Sequence, residues 1–273
     1  MFRTRLLSGI VLMIIAITFI VAGGYPLFGL ITVISVIGLY ELYRAVGMEK
    51  TVPGIIGYLS GVGLDVLILN TDGGLQPFRR VTYEHVLAWL ICTLILLMVC
   101  YVICYPKYDS EQMTMLFFGI FYVTLMMSFV FRLRFVENGV LYVWLIFIGA
   151  WGSDTCAYCV GKLIGKHKMP SALSPNKTIE GCAGGVIGAA LIGLIFALVL
   201  FDSKEYLWKL ALICGISAVI SQIGDLTASA IKRNHDIKDY GKLIPGHGGI
   251  LDRFDSIIFI APIVYYLVVF FHI

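Results

Sequence analysis

The sequence predicts an all-α polytopic membrane protein of about nine transmembrane helices, N-terminus cytoplasmic and C-terminus outside. Three observations carry that reading. Of 273 residues, 59% are hydrophobic and only 14% are charged, whereas soluble domains carry about a quarter charged residues. The apolar residues also gather into runs near the roughly 20 residues a helix needs to cross a bilayer. Finally, every Lys and Arg except Lys209 falls outside the runs, and they favour alternate connections.

In chain order the runs cover 6–22, 26–40, 53–69, 86–104, 113–131, 140–160, 182–201, 208–223 and 257–273. Lipid offers no partner for backbone N–H and C=O groups, so each is expected to be a helix. The first follows Arg3 and Arg5 and has the outline of a signal peptide. It lacks a small-x-small cleavage site and eight further runs follow, so it reads as an uncleaved first helix. The third is interrupted by Asp65, expected at a helix end near the headgroups. With nine crossings, Arg79, Arg80, Arg132, Arg134, Lys204 and Lys209 share one side, and the other fourteen of the twenty Lys and Arg share the opposite side. Positive charge stays cytoplasmic, which faces the long polar connections 161–181 and 224–253 to the cytoplasm.

The whole chain, 1–273, is expected to form a single membrane-embedded domain, with 1–138 mainly scaffold and 139–273 carrying the chemistry. A formal net charge of +3 gives no basic stripe and argues against a nucleic-acid partner. Seven cysteines, an odd number mostly within apolar runs, argue against a disulfide framework. Cys156 and Cys159 lack the further ligands of a zinc site and read as two small residues on one helical turn.

Polar information concentrates in two segments. In 224–256, a continuing eighth helix would put Asp225, Ser229, Lys232 and Arg233 on one face, at i, i+4, i+7 and i+8. The stretch Gly241-Lys-Leu-Ile-Pro-Gly-His-Gly-Gly249 then brings His247 among Gly246, Gly248 and Gly249, where backbone N–H groups can approach an anion closely. The last helix opens with Asp252-Arg253-Phe-Asp255, its two acids at i, i+3. The helix dipole favours acids there, but it leaves Asp225 unexplained. Three carboxylates suit a hard cation such as Mg²⁺, and Lys232, Arg233, Lys238 and Arg253 suit phosphates.

The second segment, 153–181, holds Asp154 and Tyr158 late in the sixth run, then Ser174, Lys177, Thr178 and Glu180. Asp154 reads equally well as a helix-end acid, and Thr178 and Glu180 as caps of the seventh helix. Gly161-x-x-x-Gly165-Lys166 has the wrong spacing for a P-loop. The pairs Gly181/Gly185 and Gly184/Gly188 read as helix-packing contacts.

Taken together, Ser229-Ala-Ile-Lys-Arg233, Lys238-Asp239, Gly241, Pro245-Gly-His-Gly-Gly249 and Asp252-Arg-Phe-Asp255 resemble the signature of the phosphatidate cytidylyltransferases, or CDP-diacylglycerol synthases. Asp154-Thr-x-Ala-Tyr158 and Ser174-Pro-x-Lys-Thr-x-Glu-Gly181 are also similar to that family, so the likeness runs from about residue 150 to the end. Cys156, Lys162 and Ile179 depart from its pattern. The resemblance implies that Asp225, Asp252 and Asp255 hold Mg²⁺, with a second cation left open. It implies catalytic roles for Ser229, Lys232, Arg233, Lys238, Asp239, His247 and Arg253, and substrate contacts by Asp154, Tyr158, Ser174, Lys177, Thr178, Glu180, Gly246, Gly248 and Gly249. The implied reaction joins CTP and phosphatidic acid into CDP-diacylglycerol and diphosphate at the cytoplasmic face of a cell membrane, bacterial by expectation. Transfer or phosphorylation of a polyprenol or ether lipid, and a transporter, are the alternatives. A homodimer stays open.

Overall fold

A computed structural model describes residues 2–71, 81–169, 173–174, 177–201, 203–246 and 248–273, with side chains from residue 8 onward. Arg79, Arg80 and His247, and the side chains of Arg3 and Arg5, lie outside the described residues.

Nine helical rods occur among these residues: α1 (Phe2–Ala22), α2 (Gly24–Ala45), α3 (Val52–Thr71), α4 (Tyr83–Cys104), α5 (Ser110–Arg134), α6 (Gly139–Ile164), α7 (Ile179–Leu200), α8 (Lys204–Asn234) and α9 (Leu251–Phe270). Eight of them are long and apolar enough to cross a membrane; α1 contributes the shorter apolar stretch Ser8–Ala22. The apolar side chains they leave uncovered agree with lipid surroundings. On α7, Ile187, Leu191, Ile195, Leu198 and Val199 are all more than half exposed, a stripe that water would penalise. The protein is a multi-pass membrane protein.

By compactness the chain divides into two units, 1–135 with 239–253 and 136–238 with 254–273. In the first, α2, α3, α4 and α5 pack around Leu64, Ile68, Val86 and Ile120. Tyr43 of α2 is fully buried and donates its hydroxyl to the Leu116 carbonyl of α5 at 2.9 Å. Only Gly23 separates α1 from α2, and its φ of 61° is one that other residues seldom adopt. Arg134 covers that turn, donating Nε to the Ile20 carbonyl at 2.9 Å, and so satisfies a carbonyl left open at the end of α1. Asp65 departs from expectation. It lies within α3, six residues before the last, Thr71, and is only 3% exposed.

In the second unit α7 packs along both α6 and α8. The small residues predicted to mediate packing do so: a side chain at Gly184 would meet Val160, one at Gly185 would meet Ser153, and one at Gly188 would meet Cys156. Gly149 of α6 makes the same close approach to Ser217 of α8. All seven cysteines are free.

Two rods carry short π-helical segments that hydropathy does not signal, Ile120–Leu125 in α5 and Ile148–Gly152 in α6. A π segment inserts a residue into the helical repeat and rotates the rest of the helix about its axis. In α6 it ends one residue before Ser153 and so sets the direction in which Asp154 and Tyr158 project.

Candidate active site

In the second unit, beyond its π segment, α6 presents Asp154, Ala157, Tyr158 and Gly161 on one stripe, at i, i+3, i+4 and i+7. These residues line a cleft of about 490 Å³ together with Lys162, Lys177, Thr178, Gly181, Cys182, Gln222 and Asp225. Its lining combines cations, carboxylates, neutral donors and small residues, a mixture whose chemistry suits a polyanion. Lys162 lies 5.9 Å from the centre of the Tyr158 ring.

Lys177 and Asp225 meet in this cleft, Nζ to Oδ2 at 2.5 Å, with side chains 28% and 36% exposed. The connection ahead of α7 folds to put Lys177 there. The Met169 N–H donates to the Lys177 carbonyl at 2.9 Å, the Ile179 N–H to the His167 carbonyl at 2.9 Å, and the Lys177 N–H to the Ser174 carbonyl at 3.2 Å. Thr178 accepts the Gly181 N–H at 3.1 Å and is the cap of α7. Glu180 accepts the Lys166 and His167 N–H groups, each at 3.2 Å, and the His167 ring at 2.5 Å. Thr178 and Glu180 therefore hold the connection in shape, and Thr178 also faces the cleft.

Helix α8 continues to Asn234, as its polar end predicts, so Asp225, Ser229, Lys232 and Arg233 do ride one helix. Ser229 and Lys232 are half-buried and Arg233 is exposed, with Nη1 donating to the Ile237 carbonyl at 3.3 Å. Lys238, Asp239 and Arg253 are exposed. Gly224 lets α8 approach α9: a side chain there would meet the Asp255 carbonyl and Phe259. Ser256 ties the same helices, donating its hydroxyl to the Ser221 carbonyl at 3.3 Å. Asp225 and Asp255 thus sit beside a close approach of neighbouring helices. Asp255 is buried, and its carboxylate accepts the Ser256 N–H at 2.7 Å.

The first unit holds the glycine-rich loop, which is organised around carboxylates of the protein itself. Asp252 Oδ2 accepts the N–H groups of Tyr240 at 2.8 Å and Gly249 at 2.9 Å. Gly246 and Gly248 have φ of 78° and 88°, and a side chain at Gly248 would strike Asp252. The N–H of Gly249 is therefore committed to Asp252, where an approach to a bound anion was expected. Among the described residues no three His, Cys, Asp or Glu side chains form a ready-made metal cluster.

Sequence reasoning passed over Glu41. This acid of α2 is 3% exposed and accepts the N–H groups of Ile250 at 3.1 Å and Leu251 at 2.8 Å. Arg44, one turn later, donates to the Tyr240 carbonyl. The available signal was an acid and a base at i, i+3 directly after an apolar run. The scaffold helices thus shape a loop that carries candidate site residues.

Helices long and apolar enough to cross a membrane, joined by polar connections that carry cations and carboxylates such as the Lys177–Asp225 pair, define a polytopic membrane protein with a charged cleft. Comparison with known proteins makes the class specific. Residues 3–271 match the model of the cytidylyltransferase family. The chain is 31% identical over 271 residues to the phosphatidate cytidylyltransferase of Bacillus subtilis strain 168, covering 98% of each. It is 32% and 33% identical to the phosphatidate cytidylyltransferases of Staphylococcus saprophyticus and Staphylococcus aureus strain COL, covering 98% of this chain and 99% of theirs. The chain belongs to the phosphatidate cytidylyltransferase family and is a nucleotidyltransferase.

Proposed function

We propose that this chain transfers the cytidylyl group of CTP to phosphatidic acid, giving CDP-diacylglycerol and diphosphate for phospholipid biosynthesis, from the cytoplasmic face of the cell membrane. The observation that carries the reading is the near-complete overlap with relatives bearing that name. The Lys177–Asp225 cleft supports it, because its cations and donors suit a polyanionic ligand. The cytoplasmic orientation rests on the distribution of Lys and Arg.

In the proposed reaction an oxygen of the lipid phosphate forms a bond to the α-phosphorus of CTP. The bond from that phosphorus to the bridging oxygen breaks, and diphosphate leaves with the electron pair. A phosphomonoester has its second pKa at about 6, so the nucleophile is already ionised near neutral pH and needs no protein base. The barrier is repulsion between two anions and charge building on the leaving group. Lys162 and Lys177 would offset it in the cleft. Ser229, Lys232 and Arg233 would do so along the end of α8, Lys238 in the connection after it, and Arg253 at the start of α9. Asp225 accepts from the Lys177 ammonium in the cleft and so positions it.

The donor chemistry fits a hard divalent ion, because the candidate ligands are carboxylates only. Asp225, Asp252 and Asp255 would hold Mg²⁺, which when bound neutralises phosphate charge. Purified protein in lipid nanodiscs, given labelled CTP, phosphatidic acid and Mg²⁺, should yield labelled lipid and free diphosphate. No labelled lipid from phosphatidic acid, with turnover on a polyprenol or with ATP, would overturn the assignment.

A further inference from the structure

We propose that Glu41 is a positioning residue for the reaction: a carboxylate on a scaffold helix that fixes the start of α9, and with it Asp252. This rests on the transferase reading above.

The N-terminal turn of α9 has N–H groups without partners inside the helix, and Glu41 takes two N–H groups at this point, those of Ile250 and Leu251. Both are buried, as is Glu41 itself. A negative charge here is also favoured by the helix dipole. Asp252, one residue further on, takes the N–H groups of Tyr240 and Gly249 through one oxygen. Arg44, on the same face of α2 as Glu41, takes the Tyr240 carbonyl. The loop is therefore stapled at both ends, by Glu41 and Arg44 from outside it and by Asp252 from within.

The glycines agree with this role. A side chain on Gly241 or on Gly249 would collide with the Glu41 carboxylate. These two positions are bare because a carboxylate of the protein fills the space beside them. Sequence alone gives their bareness to a ligand; the structure assigns it to Glu41. Tethering Asp252 to the rest of the fold matters because catalytic groups displaced by about 1 Å can lose on the order of 100-fold in rate.

Glu41 has no part in the bond changes, so its loss should act on turnover through geometry. The test uses the full-length protein in nanodiscs as wild type, Glu41→Ala and Glu41→Gln. The alanine variant should lower kcat by about 10- to 100-fold, with KM for CTP within about threefold of wild type. Glutamine keeps one accepting oxygen of similar reach and should fall between the two. Hydrogen exchange, read without substrate, should accelerate by about tenfold or more over residues 239–251 in the alanine variant, while peptides of α3 and α4 stay protected. Unchanged exchange over 239–251, or faster exchange with unchanged kcat, would overturn the proposal. Should the alanine variant not fold, wild-type kcat and exchange in Glu41→Gln would overturn it equally. If wild-type protein makes no CDP-lipid, the transferase reading fails by itself, and the exchange result still decides whether Glu41 holds the loop.

Discussion

Replacing Lys177 by methionine separates a functional cation from a structural one. The substitution keeps the length of the side chain and removes the ammonium that lies 2.5 Å from Asp225. Both partners remain partly exposed, at 28% and 36%, so water screens the pair. Such pairs stabilise folded proteins by about 0–1 kcal/mol. The neighbouring backbone bonds, from Met169 to the Lys177 carbonyl and from Lys177 to Ser174, do not involve the ammonium and should survive. Unfolding in detergent should therefore move little. A positioned donor that meets developing phosphate charge is worth far more, about 2.7–4 kcal/mol or 100- to 1,000-fold in turnover. The assay is kcat and KM for CTP in nanodiscs, beside thermal unfolding of the same preparations. Turnover within about threefold of wild type would show that the cleft beneath Lys177 is not where charge develops. A large loss of thermal stability would show that the pair is structural, against the exposure argument.

The same geometry sets other outcomes. Asp252→Ala should abolish turnover and also leave the buried N–H groups of Tyr240 and Gly249 unpaired, a cost of about 1–3 kcal/mol each; activity and thermal unfolding measure the two effects separately. Chelation with EDTA should bring turnover to background and added Mg²⁺ should restore it, with the membrane-inserted fold unchanged by circular dichroism. Gly184→Leu should destabilise the α6–α7 contact by about 1–3 kcal/mol, because its side chain would press on Val160; melting in detergent reads it.

The division between what was legible in sequence and what was not reflects length scale. Asp225, Ser229, Lys232 and Arg233 were placed on one helix correctly because helical spacing is local. The packing role of Gly184, Gly185 and Gly188 was legible for the same reason. Thr178 was ambiguous between cap and ligand, and its bond to Gly181 shows the cap while leaving it in the cleft. Asp65 was misplaced to a helix end because an acid in an apolar run was judged by its neighbours in sequence; its burial comes from packing within the first unit. Glu41 was missed because its partners, Ile250 and Leu251, are more than 200 residues away.

By itself the sequence determined the membrane-crossing helices, since a bilayer demands long apolar runs with internally paired backbones. It also determined the family, because the spacing of its polar residues survives as a readable pattern. The tertiary structure alone decided where those residues point. It pairs Lys177 with Asp225, turns Asp252 onto the backbone of the glycine-rich loop, and brings Glu41 from a scaffold helix to the start of α9. Such pairings join residues far apart in the chain, and their geometry depends on helix rotation, π segments and close approaches at glycine, none of which local sequence spacing contains.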